Sequence, residues 1–195
     1  MLAVEAHTTA STYDQMHFAI IRIVHEDLYG LLVNPYGRLT KAGLKRGQRI
    51  IEVGCGPGFF TIPAAKIVGE AGYVYAWDIN PVAVEHVRRK IAQEGLTNVE
   101  VKLADACETG LPEESVDVAF LFSVIHSLKN LNKLLTEMHR VLKPHGILSV
   151  QSRLPEKKVV ESVTANGLFA FREEAKRVLV FEKERRAVHN SLEDH

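Results

Sequence analysis

The fold of this chain is decided by the stretch Arg49-Ile50-Ile51-Glu52-Val53-Gly54-Cys55-Gly56-Pro57-Gly58-Phe59-Phe60. A short apolar run ends in closely spaced glycines, and a helical pattern of apolar residues follows them directly. We therefore predict a buried strand, a tight loop and the N-terminus of a helix, in that order. A ligand can lie against bare backbone in such a loop, and the first N–H groups of the helix point towards it.

A second strand follows at the spacing expected of a nucleotide-binding βαβ unit. Residues 73–77 form an apolar and aromatic run about 20 residues beyond the last glycine, and Asp78 ends the run. A carboxylate at this place can accept hydrogen bonds from both hydroxyls of a ribose. The two motifs together predict a site for a nucleoside, and a tight turn that binds no ligand is the alternative.

Details of the loop argue against a dinucleotide. The fingerprint G-x-G-x-x-G needs a glycine where this chain has Phe59, and Pro57 lacks a backbone N–H that a pyrophosphate would use. Glu52 places negative charge where a phosphate would be repelled. The motif from Glu52 to Gly58 instead resembles the first motif of class I S-adenosylmethionine-dependent methyltransferases, whose cofactor carries an ammonium and a sulfonium.

The resemblance implies S-adenosylmethionine as cofactor, S-adenosylhomocysteine as product, and a set of residues that contact them. The expected cofactor-binding residues are Glu52, Gly54, Cys55, Gly56, Gly58, Asp78, Ile79, Asp105, Ala106, Phe122 and Ser123. Glu52 would bind the methionine ammonium through water, and the glycines would admit the cofactor close to the backbone. Asp78 would take the ribose hydroxyls, and Ile79 would pack on the adenine.

Later strand ends would supply the remaining contacts in a member of that family. Asp105 would bind the adenine amino group beside the N–H of Ala106, although it could serve instead as a helix N-cap. Phe122 and Ser123 would contact the methionine portion through backbone carbonyls. His126 follows them and is the candidate catalytic residue, as a base or as an anchor for the methyl acceptor. A structural histidine is the alternative.

The order of predicted elements agrees with the same family. Helices and strands alternate until two final strands, at 169–173 and 178–181, which must pair antiparallel because their connection is tight. The fold class is therefore α/β: a Rossmann-like, doubly wound sheet of seven mostly parallel strands in a three-layer sandwich. The methyltransferase domain would span 44–183, with a helical lid or cap at 1–43 and a solvated tail at 184–195.

Three finer expectations concern the ends of elements. Apolar residues at helical spacing predict a first helix from Tyr13 to Leu32, which Asn34-Pro35 would end. A short helical connector is expected at 39–44. His145 stands where the resembling family has a glycine, and it would be strained if that position needs a positive φ.

Composition excludes several classes of protein. The 195 residues suit one domain, and Lys plus Arg equals Asp plus Glu at 24 each, which makes a nucleic-acid partner unlikely. Cys55 and Cys107 match neither a metal spacing nor a disulfide framework, so we expect reduced thiols, no metal and a cytoplasmic protein. No apolar run reaches the ~18 residues that cross a bilayer, and residues 1–10 lack the order of a signal peptide.

The sequence thus predicts a methyltransferase that acts by in-line displacement on a small, partly apolar acceptor, and it most resembles the quinone-biosynthesis branch. A non-catalytic, methyltransferase-like partner subunit is one alternative. An RNA or protein methyltransferase with contacts at Lys157-Lys158 or 183–186 is another, and a nicotinamide-dependent oxidoreductase is a third. The sequence does not define the oligomeric state.

Overall fold

The computed structural model of the chain describes residues 11–23 and 33–184. Helices and strands alternate through most of this part. In chain order the elements are α1 (Thr12–Arg22), α2 (Pro35–Lys41), β1 (Arg49–Val53), α3 (Thr61–Val68), β2 (Tyr73–Asp78), α4 (Pro81–Gln93), β3 (Val99–Leu103), β4 (Val116–Phe122), a short 3-10 helix (Ile125–Ser127), α5 (Leu131–Val141), β5 (Leu142–Gln151), α6 (Glu156–Thr164), β6 (Phe169–Ala175) and β7 (Val178–Lys183).

The described strands form one seven-stranded sheet in the order β3-β2-β1-β4-β5-β7-β6. The first five strands are parallel to one another, and β7 pairs antiparallel with both β5 and β6. Strand β4 lies in the middle and is buried along nearly its whole length, as a continuous apolar run predicts for a strand covered on both faces. The predicted fold class is confirmed.

Buried apolar side chains form two clusters, one on each face of the sheet. Ile51 belongs to the cluster under α5 and α6, whereas its neighbour Ile50 belongs to the cluster under α2, α3 and α4. Successive side chains of a strand point to opposite faces, so one apolar strand joins both helical layers to the sheet. The result is a three-layer sandwich.

The carboxyl ends of the parallel strands meet at one edge of the sheet. We call it the carboxyl edge, and it is formed by the last residues of β1 to β5 and the loops that follow. Those last residues are Val53, Asp78, Leu103, Phe122 and Gln151. Ligands of open α/β sheets bind at this edge.

One of the finer expectations was wrong, and the condition attached to another is not met. Helix α2 begins at Pro35 and ends at Lys41, so the connector is longer and starts earlier than 39–44. Asn34 opens this helix, because its Oδ1 accepts the N–H of Gly37 at 3.2 Å and proline suits the first helical position. His145 has no positive φ and lies within β5, so it carries no such strain.

Both chain ends are described only in part. Helix α1 begins one residue before the expected N-terminal helix and confirms its first ten residues, and residues 24–32 lie outside the described residues. The predicted tail also lies outside them except for Glu184, whose N–H donates to the carbonyl of Leu168 at 2.9 Å. In the described part of the chain no helix has the length and apolar character needed to cross a membrane.

Candidate functional site

The glycine loop after β1 adopts a backbone that favours glycine. Gly54, Gly56 and Gly58 have φ values of 76°, 49° and 79°, in the left-handed region that other residues rarely adopt. A Cβ on Gly54 would lie 2.4 Å from Cγ1 of Val124. The N–H of Gly54 donates to the carbonyl of Trp77 at 2.7 Å, which holds the loop against the end of β2.

Asp78 connects this loop to the next helix. Its Oδ2 accepts the N–H of Gly56 at 2.8 Å, and its Oδ1 accepts the N–H of Asn80 at 2.8 Å. Asn80 in turn caps α4 through the N–H of Val82. Asp78 therefore fixes two turns at the end of β2.

Glu52 lies beneath the loop and is only 3% exposed. Thr61 donates its hydroxyl to Oε2 at 2.6 Å, and within the described residues no cationic side chain pairs with the carboxyl group. Burial raises the pKa of Glu52 to about 8, the Thr61 hydrogen bond opposes the rise, and the charge of Asp78 adds to it. A buried acid without a cationic partner is electrostatically suited to a positively charged ligand.

Cys55 is buried within the same loop. Burial raises its thiol pKa well above the ordinary value, and the negative charges of Glu52 and Asp78 raise it further. The thiol is therefore a poor nucleophile. The backbone of Cys55 holds the loop together, because its N–H donates to the carbonyl of Trp77 at 3.3 Å and its carbonyl accepts the N–H of Gly58 at 2.9 Å.

The expected adenine side is built on the turn after β3. Asp105 Oδ1 accepts the N–H of Cys107 at 2.9 Å, and this hydrogen bond lowers the pKa of Asp105. Asp105 does not cap a helix, because a turn rather than a helix follows it; the alternative role weighed above was wrong. Ala106 is buried beside this turn, whereas Ile79 is 76% exposed after Asp78 and offers an apolar surface.

The end of β4 brings together the candidates for the methionine and acceptor sides. Ser123 has a φ of 62°, and its N–H donates to the carbonyl of Gln151 at 2.8 Å. The ring of Phe122 packs edge-on against Phe60, with 4.9 Å between centroids. His126 follows in the short 3-10 helix and is exposed.

Helix α1 lies beside the glycine loop. The ring centroids of Phe18 and of His86 on α4 are 5.2 Å apart, and Asn80 donates its side-chain N–H to the carbonyl of Asp14 at 3.2 Å. A Cβ on Gly56 would be 3.8 Å from Cγ2 of Ile21. The helix thus contacts the loop and the start of α4 together.

Three contributors to this edge were not predicted from the sequence. Thr61 binds Glu52 and Val124 packs against Gly54, but neither contact follows from a local motif. Gln151 is buried at the end of β5, and its Oε1 has no hydrogen-bond partner among the described residues. The described residues also contain no group of His, Cys, Asp and Glu side chains that could hold a metal ion.

Comparison with known proteins identifies the family of this chain. A family model described as a methyltransferase domain matches residues 44–188. The ubiquinone/menaquinone biosynthesis C-methyltransferase UbiE of Vibrio vulnificus is 31% identical over 147 residues, which make up 74% of this chain and 54% of that protein. The chain therefore spans about half the length of the curated relatives it matches.

Solved structures agree with this assignment. A SAM-dependent methyltransferase from Aquifex aeolicus has a TM-score of 0.73 and 25% identity, and the match covers 86% of this chain and 96% of that one. Coclaurine N-methyltransferase, solved with N-methylheliamine and SAH, has a TM-score of 0.52 and 26% identity over 58% of this chain and 32% of its own. The chain belongs to the methyltransferase domain family, and within it to the class I S-adenosylmethionine-dependent methyltransferases.

Proposed function

We propose that this protein transfers a methyl group from S-adenosylmethionine to a small, partly apolar acceptor. The observation that carries the proposal is the geometry at the end of β1. Asp78 bonds to the loop at Gly56 while the buried Glu52 lies beneath the same loop without a cationic partner. One carboxylate for a ribose and one for a cation suit an adenosyl sulfonium.

The backbone of the glycine loop and the order of the assigned residues support the same cofactor. The glycine at position 54 leaves no room for a side chain beside Val124, so that the loop closes tightly on its own neighbours and presents backbone. Ile79 offers an exposed apolar surface for an adenine, and Asp105 lies after the next strand of the sheet. The assigned residues thus follow the ends of adjacent parallel strands, as a nucleoside ligand requires.

Methyl transfer asks the protein mainly to position its reactants and to exclude water. When bound, the cofactor supplies an electrophilic methyl group on a sulfonium. Glu52 and Asp78 would hold its two polar ends, and the Phe60 and Phe122 rings would keep the region near the end of β4 dry. His126 is proposed to anchor the acceptor or to take a proton from it where the acceptor arrives protonated.

A small, partly apolar acceptor is supported by the name of a relative and by the aromatic side chains at the carboxyl edge. The Vibrio vulnificus relative is named for ubiquinone and menaquinone biosynthesis. Phe59, Phe60 and Phe122 form a chain of edge-on ring contacts. The equal numbers of basic and acidic residues favour a small molecule over a nucleic acid, which a protein binds mainly through cations.

The proposal is tested first by ligand binding. S-adenosylhomocysteine at 100 times its Kd should stabilise the protein by about 2.7 kcal/mol, which raises the Tm by roughly 5–11 °C at about 2–4 °C per kcal/mol for a protein of this size. NADH should produce no such shift. Stabilisation by NADH and not by S-adenosylhomocysteine would contradict the proposal and select an oxidoreductase.

Catalysis is tested separately with radiolabelled S-adenosylmethionine and extracted small molecules. We expect label to enter an organic-soluble fraction, with loss of transfer when protein is omitted. Tight cofactor binding without transfer to any fraction would select the non-catalytic partner subunit instead. Transfer to RNA or protein, with binding that weakens steeply in salt, would select the macromolecular alternative.

A further inference from the structure

Gln151 is one of few buried side chains with an unpaired polar atom in the described part of the chain, and the indole N–H of Trp77 is another. Gln151 is 4% exposed, yet its Oε1 has no hydrogen-bond partner there. By contrast, Asn98 donates to the carbonyls of Ala65 and Gly69, and Ser149 donates to the carbonyl of Ala42. Because buried polar groups are nearly always hydrogen-bonded, an unpaired one needs an explanation.

The position of Gln151 points to the methyl-transfer site. It is the last residue of β5 and pairs in register with Phe122, the last residue of β4. Its own backbone carbonyl accepts the N–H of Ser123. Residues paired in register point to the same face of a sheet, so the amide of Gln151 and the ring of Phe122 share one face of the carboxyl edge.

Aromatic side chains cluster on that face near the end of β4. Phe122 contacts Phe60 edge-on at 4.9 Å, and Phe60 contacts Phe59 in the same way at 4.9 Å. Ser149, two residues before Gln151 on the same face, is buried under α2 with its hydroxyl satisfied. The unpaired carbonyl of Gln151 therefore lies beyond the satisfied core, on the face of the sheet that carries the buried rings of Phe60 and Phe122.

Packing alone gives no reason for an amide here. Leaving a buried carbonyl unpaired costs about 1–3 kcal/mol, and an apolar side chain of similar size avoids that cost. Met or Leu would fill the same volume without a polar atom. Residues that lower stability in this way are expected at functional sites.

We propose that Oε1 of Gln151 accepts a hydrogen bond from a neutral hydroxyl or N–H group of the methyl acceptor, whose apolar ring packs beside Phe60 and Phe122. The identification of this ligand as the methyl acceptor rests on the proposed function, whereas the binding site itself is inferred from Gln151. A carbonyl oxygen repels a carboxylate, and a buried aromatic surface disfavours an ion. The site thus selects a neutral, ring-shaped molecule that carries a donor.

Two probes that differ only in the donor test this site. 1-Naphthol carries a hydroxyl, and 1-methoxynaphthalene carries the same ring without a donor. We expect the full chain, saturated with S-adenosylhomocysteine, to bind 1-naphthol at least ~10-fold more tightly, which is the size of one hydrogen bond. Isothermal titration calorimetry measures both affinities.

Gln151→Met removes the acceptor atom while it keeps the length of the side chain. It should weaken 1-naphthol binding by at least ~10-fold and leave 1-methoxynaphthalene within about two-fold, with the Tm unchanged or higher. Gln151→Leu serves as a second variant if the first folds poorly. Gln151→Glu keeps an acceptor oxygen at this position, so it should retain part of the preference for 1-naphthol that Gln151→Met loses.

Ser149→Ala is the matched control, since it removes a satisfied buried hydrogen bond on the same face. It should lower the Tm and leave the preference for 1-naphthol unchanged. The proposal is overturned if Gln151→Met changes both affinities equally or neither, or if the wild-type protein binds neither probe or prefers the ether. Absence of S-adenosylhomocysteine binding would instead count against the proposed function, because the probe pair can be titrated without it.

Discussion

Gly56 and Asp78 are joined by a hydrogen bond of 2.8 Å from the backbone N–H of the loop to the carboxylate Oδ2. The other oxygen accepts the N–H of Asn80, so one carboxylate fixes both the glycine loop and the turn into α4. Hydrogen bonds to a charged acceptor contribute about 1.5–3 kcal/mol each. Asp78 therefore stabilises the shape of the crevice in addition to its proposed contact with a ribose.

Asp78→Asn should affect stability and ligand binding together. The amide cannot accept both N–H groups through its two ends, so we expect the free energy of unfolding to fall by about 2 kcal/mol. We also expect the thermal shift with S-adenosylhomocysteine to disappear. Asp117→Asn is the control: Asp117 accepts the N–H of Arg49 and pairs with Lys143, away from the carboxyl edge. Its loss should lower stability and retain the ligand shift. An unchanged shift in Asp78→Asn would refute the ribose assignment.

Gly54→Ala should be more harmful than an alanine at another glycine of similar backbone. Gly54 has a φ of 76°, and its Cβ would overlap Val124, whereas Gly47 has a φ of 82° and no atom within 4 Å of the corresponding position. Backbone strain of about 1–3 kcal/mol applies to both. Chemical denaturation should show a larger loss for Gly54→Ala, and Val124→Ala in the same chain should recover part of the difference. Equal losses of stability in Gly54→Ala and Gly47→Ala would show that the Val124 side chain moves aside at no measurable cost.

The glycine loop and the central strands were predictable because their signals are local. The apolar run before Gly54, the three glycines and the acid at 78 follow one another at a fixed spacing, and the structure forms them as a strand, a loop and a strand end. The antiparallel hairpin followed from its short connection. Patterns of this kind involve residues that are close in sequence, so they can be recognised without knowledge of the structure.

Features that depend on distant neighbours could not be predicted in this way. The unpaired carbonyl of Gln151 depends on which groups β4 and β7 bring beside it. The strained backbone of Ser123 likewise depends on the approach of β5. Asn34-Pro35 was ambiguous for a different reason, because the same pair can end one helix and begin the next.

Glu52 should make stability fall as the pH rises. Its pKa is about 8 in the folded protein against an ordinary value of 4.5, so between these values the folded state holds a proton that the unfolded state has lost. Stability then declines from about pH 5 to pH 8 and levels off above it, by on the order of 4 kcal/mol. Denaturant unfolding at several pH values measures the slope.

Glu52→Gln provides the comparison for this pH dependence. The amide does not titrate, so the variant should lose that part of the slope and be the more stable protein near pH 8. It should also bind S-adenosylmethionine less tightly, because it cannot develop a charge opposite the ammonium. Parallel pH profiles for the two proteins would mean that Glu52 ionises normally when folded.

Helix α1 should contribute to cofactor affinity through its contact with α4. Phe18 is 7% exposed against His86, whereas Ile20 on the other side of the helix is 57% exposed. Phe18→Ala should loosen the helix and increase amide hydrogen exchange in residues 12–22. If the docked fraction falls to about one fifth, the apparent affinity for S-adenosylhomocysteine falls about five-fold. Ile20→Ala should change neither quantity, since its side chain faces solvent. Faster exchange in Phe18→Ala with undiminished affinity would show that α1 packs on the domain without covering the cofactor.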